Sequence, residues 1–196
     1  MSTKHSIWTQ VLRISVGCLL TLTAGMAFGQ GIEKGQVEAT GQLGLVSGIG
    51  THGSFGASIG SAVTDRIIAL GEVSYIPLGS SSFTSLGLTT KASANAIDVN
   101  ATGHYQFQKK GSIVPYAGGG IGVLHASASS STNIQNVNIG SFSFSSGGSS
   151  TDFYVNLGGG LRYYLAGKWG FRPELMIFAG SNTFVRLSVG IFYHVK

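Results

Sequence analysis

The chain has 196 residues, of which 10% are charged, 43% are hydrophobic and 31 are glycine, and its formal net charge is +5. That length suits one domain, and a weak, evenly spread positive charge excludes an electrostatic nucleic-acid surface. Past the N-terminus no run approaches the ~20 apolar residues of a membrane-spanning helix, and no 3.6-residue period is found.

Residues 1–29 read as an export signal. Lys4 and Arg13 give a positive start, residues 14–24 an apolar core, and Ala27-Phe28-Gly29 small residues at −3 and −1 of a cleavage site. The mature chain is expected to begin near Gln30 and to form one domain over 30–196. Without Lys4 and Arg13 it has ten basic and seven acidic residues, a net charge of +3. Cys18, the only cysteine, falls inside the signal, so no disulfide is expected in the mature chain.

From residue 35 onward the pattern has period 2, the mark of a strand whose two faces differ. Eight strands are predicted. The first, 35–46, sets Val37, Ala39, Leu43 and Leu45 against Glu38, Thr40 and Gln42. The second, 53–63, sets Phe55, Ala57 and Ile59 against Ser54, Ser58 and two glycines. The third, 67–76, opposes Val73 and Tyr75 to Glu72 and Ser74. The fourth, 93–107, is the clearest: Ile97, Val99, Ala101, Tyr105 and Phe107 face one way, and Asp98, Asn100, Thr102, His104 and Gln106 the other. The fifth, 112–125, is glycine-rich and its faces are ambiguous. The sixth, 151–165, opposes Phe153, Val155, Leu157, Leu161 and Tyr163 to Asp152, Tyr154, Asn156 and Arg162. The seventh, 169–179, sets Phe171, Pro173, Leu175 and Ile177 against Arg172 and Glu174. The eighth, 184–195, sets Val185, Leu187, Val189, Ile191 and Tyr193 against Arg186, Ser188, Gly190 and His194.

The even connections (64–66, 108–111 and 166–168) are short turns. The two longest connections, 77–92 and 126–150, are odd ones, rich in Ser, Thr, Gly and Asn, and are expected to be loops. Short turns on one side and longer connections on the other characterise outer-membrane barrels; the other two odd connections, 47–52 and 180–183, are short, so two of the four odd connections follow that rule. Tyr105, Phe107, Tyr163, Tyr164, Trp169, Phe171 and Tyr193 cluster beside the short turns, as an interfacial aromatic girdle does.

The polar faces carry few charges, nearly balanced in sign: Glu38, Glu72, Asp98, Asp152 and Glu174 against Arg162, Arg172 and Arg186, with His104 in reserve. A water-facing exterior would be richer in Lys and Glu. A narrow barrel interior needs small residues, and its charges persist only when paired. The expected architecture is therefore an all-β, eight-stranded antiparallel up-and-down transmembrane β-barrel, with the apolar faces toward lipid.

Three stretches carry a resemblance: Val114-Pro115-Tyr116-Ala117-Gly118-Gly119-Gly120-Ile121-Gly122; Gly160-Leu161-Arg162-Tyr163-Tyr164 leading to Phe171-Arg172-Pro173-Glu174-Leu175; and Val185-Arg186-Leu187-Ser188-Val189-Gly190-Ile191-Phe192-Tyr193. Together they resemble the small outer-membrane β-barrel domain family, related in architecture to OmpA and OmpX. The resemblance implies a scaffold in the cell outer membrane of Gram-negative-type bacteria. The implied partners are outer-membrane lipids, lipopolysaccharide and, during biogenesis, the barrel-assembly machinery. Members often end in an aromatic residue, whereas this chain reads His194-Val195-Lys196 after Phe192 and Tyr193, a short overhang. No peptidoglycan-binding domain follows, so cell-wall tethering of the two-domain kind is not expected.

Signals for chemistry are few. The glycine runs 118–122 and 158–160 lead into no helix, so they are not phosphate loops; they suit curvature and close packing. His125-Ala126-Ser127 resembles the His and Ser pairing of outer-membrane lipid A deacylases, with Asp152 as an orienting acid; the rest of that motif is missing. The five histidines have no paired-ligand spacing, so neither metal nor cofactor is expected. The favoured expectation is a monomeric, non-catalytic structural or surface-interaction protein. A narrow channel is the first alternative, because glycine and serine could leave water-filled gaps, and a deacylase is the second.

Overall fold

The computed structural model describes residues 32–48, 50–85, 88–108, 112–136, 140–166 and 168–195, with the side chains of 134–142 and 166 left aside. The expected signal, Cys18 and the cleavage site lie outside these residues.

Eight antiparallel strands form a closed barrel: β1 (Val37–Ser47), β2 (His52–Ala62), β3 (Ile67–Ser85), β4 (Leu88–Gln106), β5 (Ile113–Asn136), β6 (Gly140–Ala166), β7 (Trp169–Gly180) and β8 (Phe184–Val195). Each strand pairs with the next, and β8 returns to β1 with Val37 opposite Val195 and Ser47 opposite Val185. Closure leaves no unpaired ladder around the cylinder, which is what hydrocarbon demands of a backbone that cannot reach water.

Alternation decides the two faces. Ile97, Val99 and Tyr105 point outward and are exposed, while Asp98, Asn100, Thr102, His104 and Gln106 are buried inside. β5 follows the same rule: Val114, Tyr116 and Leu124 are buried and Ile121 is exposed, which resolves the face ambiguous in sequence. The outward apolar band ends in aromatics. At the short-turn end Trp169 packs on Tyr193, and Tyr105 on Phe107, with ring centroids 4.7 and 5.7 Å apart. Arg66 donates to the Tyr105 hydroxyl there. Near the other end Phe55 packs on Tyr75 at 5.2 Å. Tyr164 departs from the predicted girdle: it faces inward, edge-on to Phe192 at 5.2 Å, because its even position falls on the interior face of β6. From Val185 to Val195 the strand covers ~33 Å, or ~25 Å along an axis tilted by ~40°, the height of a membrane-embedded band.

The two long connections expected as loops are strands. β3–β4 and β5–β6 continue their registers upward, Ser85 opposite Leu88 and Asn136 opposite Gly140, so only 86–87 and 137–139 fall between strands. Ser and Gly are poor strand formers alone, but a hairpin already registered in a barrel supplies their backbone partners. β4 and β5 also pair along this length, from Leu88 opposite Ile134 downward. A four-stranded sheet therefore stands above the cylinder. It departs from the barrel at a bulge in β3 between Pro77 and Gly79. Gly79 has φ of +120° there, a region that a side-chain-bearing residue rarely adopts.

The inward glycines match large inward side chains across the ladder. Gly122 faces Tyr154, Gly160 faces Tyr116, Gly118 faces His104 and Gly170 faces Phe192. A Cβ on Gly122 would lie 2.6 Å from Asn100 Cβ and 2.5 Å from Tyr154 Cζ. Gly122→Val is expected to destabilise the barrel by about 1–3 kcal/mol through overpacking, read as a lower urea midpoint in lipid vesicles. Gly41→Ala, with open space at the Cβ position, is the control and should leave the midpoint nearly unchanged.

Candidate functional site

Every strand except β2 and β5 sends a charged side chain into the middle of the barrel. Glu38 of β1 is the lower centre. Its carboxylate accepts two hydrogen bonds from Arg162, Nε and Nη2 each at 3.1 Å, and a third from Arg172 Nη1 at 3.0 Å. His194 Nε2 lies 3.1 Å from its other oxygen. The Arg162 fork is the bidentate geometry in which a buried guanidinium is best satisfied. Arg172 extends the network through Nη2 to Gln42 Oε1 and Ser58 Oγ, both at 3.3 Å.

The upper centre is Arg186 of β8. It pairs with Glu72 at 2.5 Å and Asp98 at 3.4 Å, and donates to Ser74 Oγ at 3.2 Å. Tyr154 donates its hydroxyl proton to Asp98. Asn100 donates to both Glu72 and Asp98. Glu174 of β7 joins the two centres, lying 3.7 Å from Arg172, 3.6 Å from Arg186 and 3.6 Å from His104 Nε2, and accepting from the Tyr116 hydroxyl at 2.7 Å. Arg162 has no acceptor, so the 3.2 Å contact from its Nη2 to His104 Nδ1 requires that ring nitrogen to accept. The imidazole proton then sits on Nε2, on the Glu174 side.

Four carboxylates thus meet three guanidiniums, with two imidazoles beside them. The predicted charge cluster is assembled except for Asp152, which is half-buried near the upper end and outside the network. Alternation in sequence placed Tyr154 and His194 on the inward faces without joining them to the cluster, and left Tyr116 on a strand whose faces were ambiguous. A hydroxyl aimed at a carboxylate leaves no mark in a hydropathy pattern.

Apolar layers close the network above and below. Above lie Val46, Ile76, Leu124, Met176, Phe178 and Phe184, with Phe178 stacked on Phe184 at 4.5 Å. Below lie Val114, Tyr164 and Phe192, and beside them Ile32, Ala62, Ile68 and Leu70. Gly35 N donates to Ala62 O and draws the segment before β1 across that mouth. Arg162, Arg172, Phe178, Phe192, Ile68 and Ile76 are each less than 2% exposed, so among the described residues side chains fill the interior through all its layers.

The hydrolase arrangement is not brought together. His125 and Ser127 lie on the outward face of β5, whereas Asp152, opposite Leu124, lies on the inward face of β6. His125 Nδ1 is instead 2.8 Å from Thr151 Oγ1, the outward residue paired with it.

The upper sheet differs from the barrel in chemistry. Across 77–96 and 126–150 the only charged residue is Lys91. Its outward face carries rungs of hydroxyls: Ser80, Ser93 and Ser129, then Ser82, Lys91, Ser131 and Ser145, then Thr84 and Thr89. Ser93 and Ser129 touch at 3.0 Å, and Thr84 and Thr89 at 3.2 Å. Both sides of this sheet are open. Pairing of β2 with β3 ends at Phe55–Tyr75, and that of β7 with β6 begins at Gly180–Tyr154.

No family model matches the chain. No curated protein matches it in sequence. Solved structures do match in fold. Neisserial surface protein A superposes with a TM-score of 0.55 at 14% identity, over 81% of this chain and 95% of that one. Ail, the attachment invasion locus protein of Yersinia pestis, gives 0.52 at 12% identity, over 84% and 100%. The N-terminal β-barrel domain of Pseudomonas aeruginosa OprF gives 0.50 at 20% identity, over 85% and 99%. The chain has the fold of the small eight-stranded outer-membrane barrels.

Proposed function

We propose that this chain is an integral outer-membrane barrel with a surface-interaction role, in which a closed cylinder anchors the upper sheet outside the cell. The observation that carries the location is the inverted distribution of polarity. Seven charged side chains are buried inside, while Phe153 is 77% exposed, Leu157 69% and Ile121 66% on the outer wall. In water such a wall would associate without limit. In lipid it is satisfied. The fold shared with outer-membrane barrels supports the same reading.

The contact role rests on the upper sheet. Its open edges offer rows of backbone donors and acceptors, and apart from the β3 bulge and Asp152 at the foot of the β6 edge they lack the charges and prolines that blunt exposed edges. Such an edge suits addition of an extended segment from a partner. One fold neighbour bears attachment in its name. Heat-modifiable migration of the chain in isolated outer membranes is the expected result of a location test; its recovery in the periplasmic fraction without that shift overturns the location. Deleting 80–93 and 129–146 together is expected to abolish surface binding while leaving the heat shift in place.

A filled interior also gives an expected electrical result. The folded chain in a planar bilayer should show no unitary steps. Steady steps that vanish on filling Gly158 or Gly160 would restore the channel reading. Catalysis is not part of the proposal, because His125 and Asp152 stand on opposite faces.

A further inference from the structure

The far end of the upper sheet changes character on one face. One rung across its four strands reads Phe83, Thr90, Thr132 and Phe144. By alternation it lies on the face continuous with the barrel interior, away from the outward hydroxyls of Thr84 and Thr89. Phe83 is 65% exposed and Phe144 63%, one on each outer strand of the sheet. Three strand spacings set them ~14 Å apart. Between them Thr90 and Thr132 turn their hydroxyls to each other at 3.1 Å. Leu88 stands one rung nearer the tip, paired with Ser85. Residues 83–90 and 132–144 contain no charged residue. One rung below, the same face reverts to Ser81, Ala92, Ser130 and Ser146. Exposed aromatic side chains thus crown a shaft of small and hydroxyl residues. At ~3.3 Å per residue they stand ~23 Å along the sheet from Ile97, the last outward apolar residue of β4.

We infer that this crown docks on a second membrane facing the cell, a phospholipid surface into whose interface Phe83 and Phe144 dip. The inference rests on the proposed position of the upper sheet outside the cell, and not on pairing at its open edges. Height separates the two membranes, because the crown stands clear of the apolar wall that meets its own. Area argues against a protein as the occupant. Four strands ~4.8 Å apart and two rungs ~6.6 Å apart give the crown about 250 Å². A stable protein interface takes about 800 Å² from each partner. A lipid surface sets no such minimum, because each ring gains on immersion without a matching pocket. Rings ~14 Å apart reach one membrane plane together. Charge agrees, since an acid or base on the crown would oppose immersion and none is present. Lys91 lies one residue below the rung and on the other face, at the depth of headgroup phosphates. The hydroxyl shaft and the open backbone edges keep the insertion shallow, where water still reaches them.

The test places the folded full chain in nanodiscs and measures its co-sedimentation with sucrose-loaded phosphatidylcholine vesicles. Binding is expected. Replacing about a fifth of the vesicle lipid by phosphatidylglycerol should change it less than about fivefold, the worth of a single Lys near an anionic surface. Phe83→Ser with Phe144→Ser should weaken binding about tenfold or more. Thr84→Ala with Thr89→Ala, at the same height on the other face, should not weaken it. Phe83→Trp should be quenched by brominated lipid in the added vesicles, and the heat shift reads the folding of every variant. Absence of co-sedimentation, co-sedimentation that needs phosphatidylglycerol, binding unchanged in the folded Phe83→Ser, Phe144→Ser variant, or absence of quenching each overturns the inference. Pairing of nanodiscs without vesicles, lost in that same variant, assigns the crown to a second copy of the chain and overturns it as well. Deleting both hairpins removes edge and crown together, so the point variants separate this inference from the wider surface role. A chain found outside the outer membrane overturns the location, whereas an outer-membrane chain that binds no vesicle overturns only the lipid contact.

Discussion

Glu38→Ala is expected to lower the stability of the barrel by about 3–5 kcal/mol, because it strands Arg162 and Arg172 inside without their shared carboxylate. Arg162 loses both arms of its fork, and its remaining polar contact is His104. Arg172 keeps only the longer approach to Glu174 and the weaker hydroxyl and amide acceptors around it. No interior water replaces the lost oxygens unless the apolar layers part. A lower urea midpoint in lipid vesicles reads the loss. The double variant Glu38→Leu with Arg162→Met removes one stranded guanidinium along with the carboxylate. It should be less damaging than the single change by about 1 kcal/mol or more. Equal losses in the single and double variants would refute the pairing as the cause.

Val189→Arg tests the wall rather than the core. Val189 is 52% exposed and sits midway along the outward face of β8, between Leu187 and Ile191. An Arg near the bilayer midplane of an outer-membrane barrel is expected to cost about 2–4 kcal/mol. On a barrel in water the same surface substitution would fall within about ±0.5 kcal/mol. Ser131→Arg, on the upper sheet clear of the apolar band, is the matched control and should be near neutral. A Val189→Arg barrel as stable in vesicles as the native one would contradict the lipid-facing wall.

Inside and outside were legible wherever one face was polar and the other apolar, as in β4, where Asp98 and Val99 take the sides that their hydropathy predicts. Legibility failed where both faces share a character. Met176-Ile177-Phe178 and Ile191-Phe192-Tyr193 are apolar on both sides, so the layers that seal the interior were not foreseen. The upper hairpins failed for the opposite reason. Their Ser-rich sequence is polar on both faces and reads as loop, yet strand pairing propagated from the barrel carries them on. In β5, glycine at 118, 119, 120 and 122 erased the contrast between faces, and its sense is fixed by buried Val114, Tyr116 and Leu124 against exposed Ile121. The interior charges themselves were legible; their grouping was not, because Glu38, Arg162 and His194 are brought together by closure rather than by neighbouring turns.

That grouping has a consequence for the order of events in assembly. Glu38 lies on β1, while its partners Arg162, Arg172 and His194 belong to β6, β7 and β8, 124 to 156 residues later. A sheet that has formed but not yet met itself along the β1–β8 seam keeps Glu38 of β1 apart from Arg162, Arg172 and His194, and Arg186 of β8 apart from Glu72 of β3 and Asp98 of β4, with Glu174 the carboxylate still beside Arg172 and Arg186. Contacts so distant in sequence come late and slowly. Neutralisation of the interior therefore coincides with the final zippering step, and a barrel left ajar is penalised electrostatically as well as by its open edges. The ionic core acts as a latch that can engage only when the last strand finds the first.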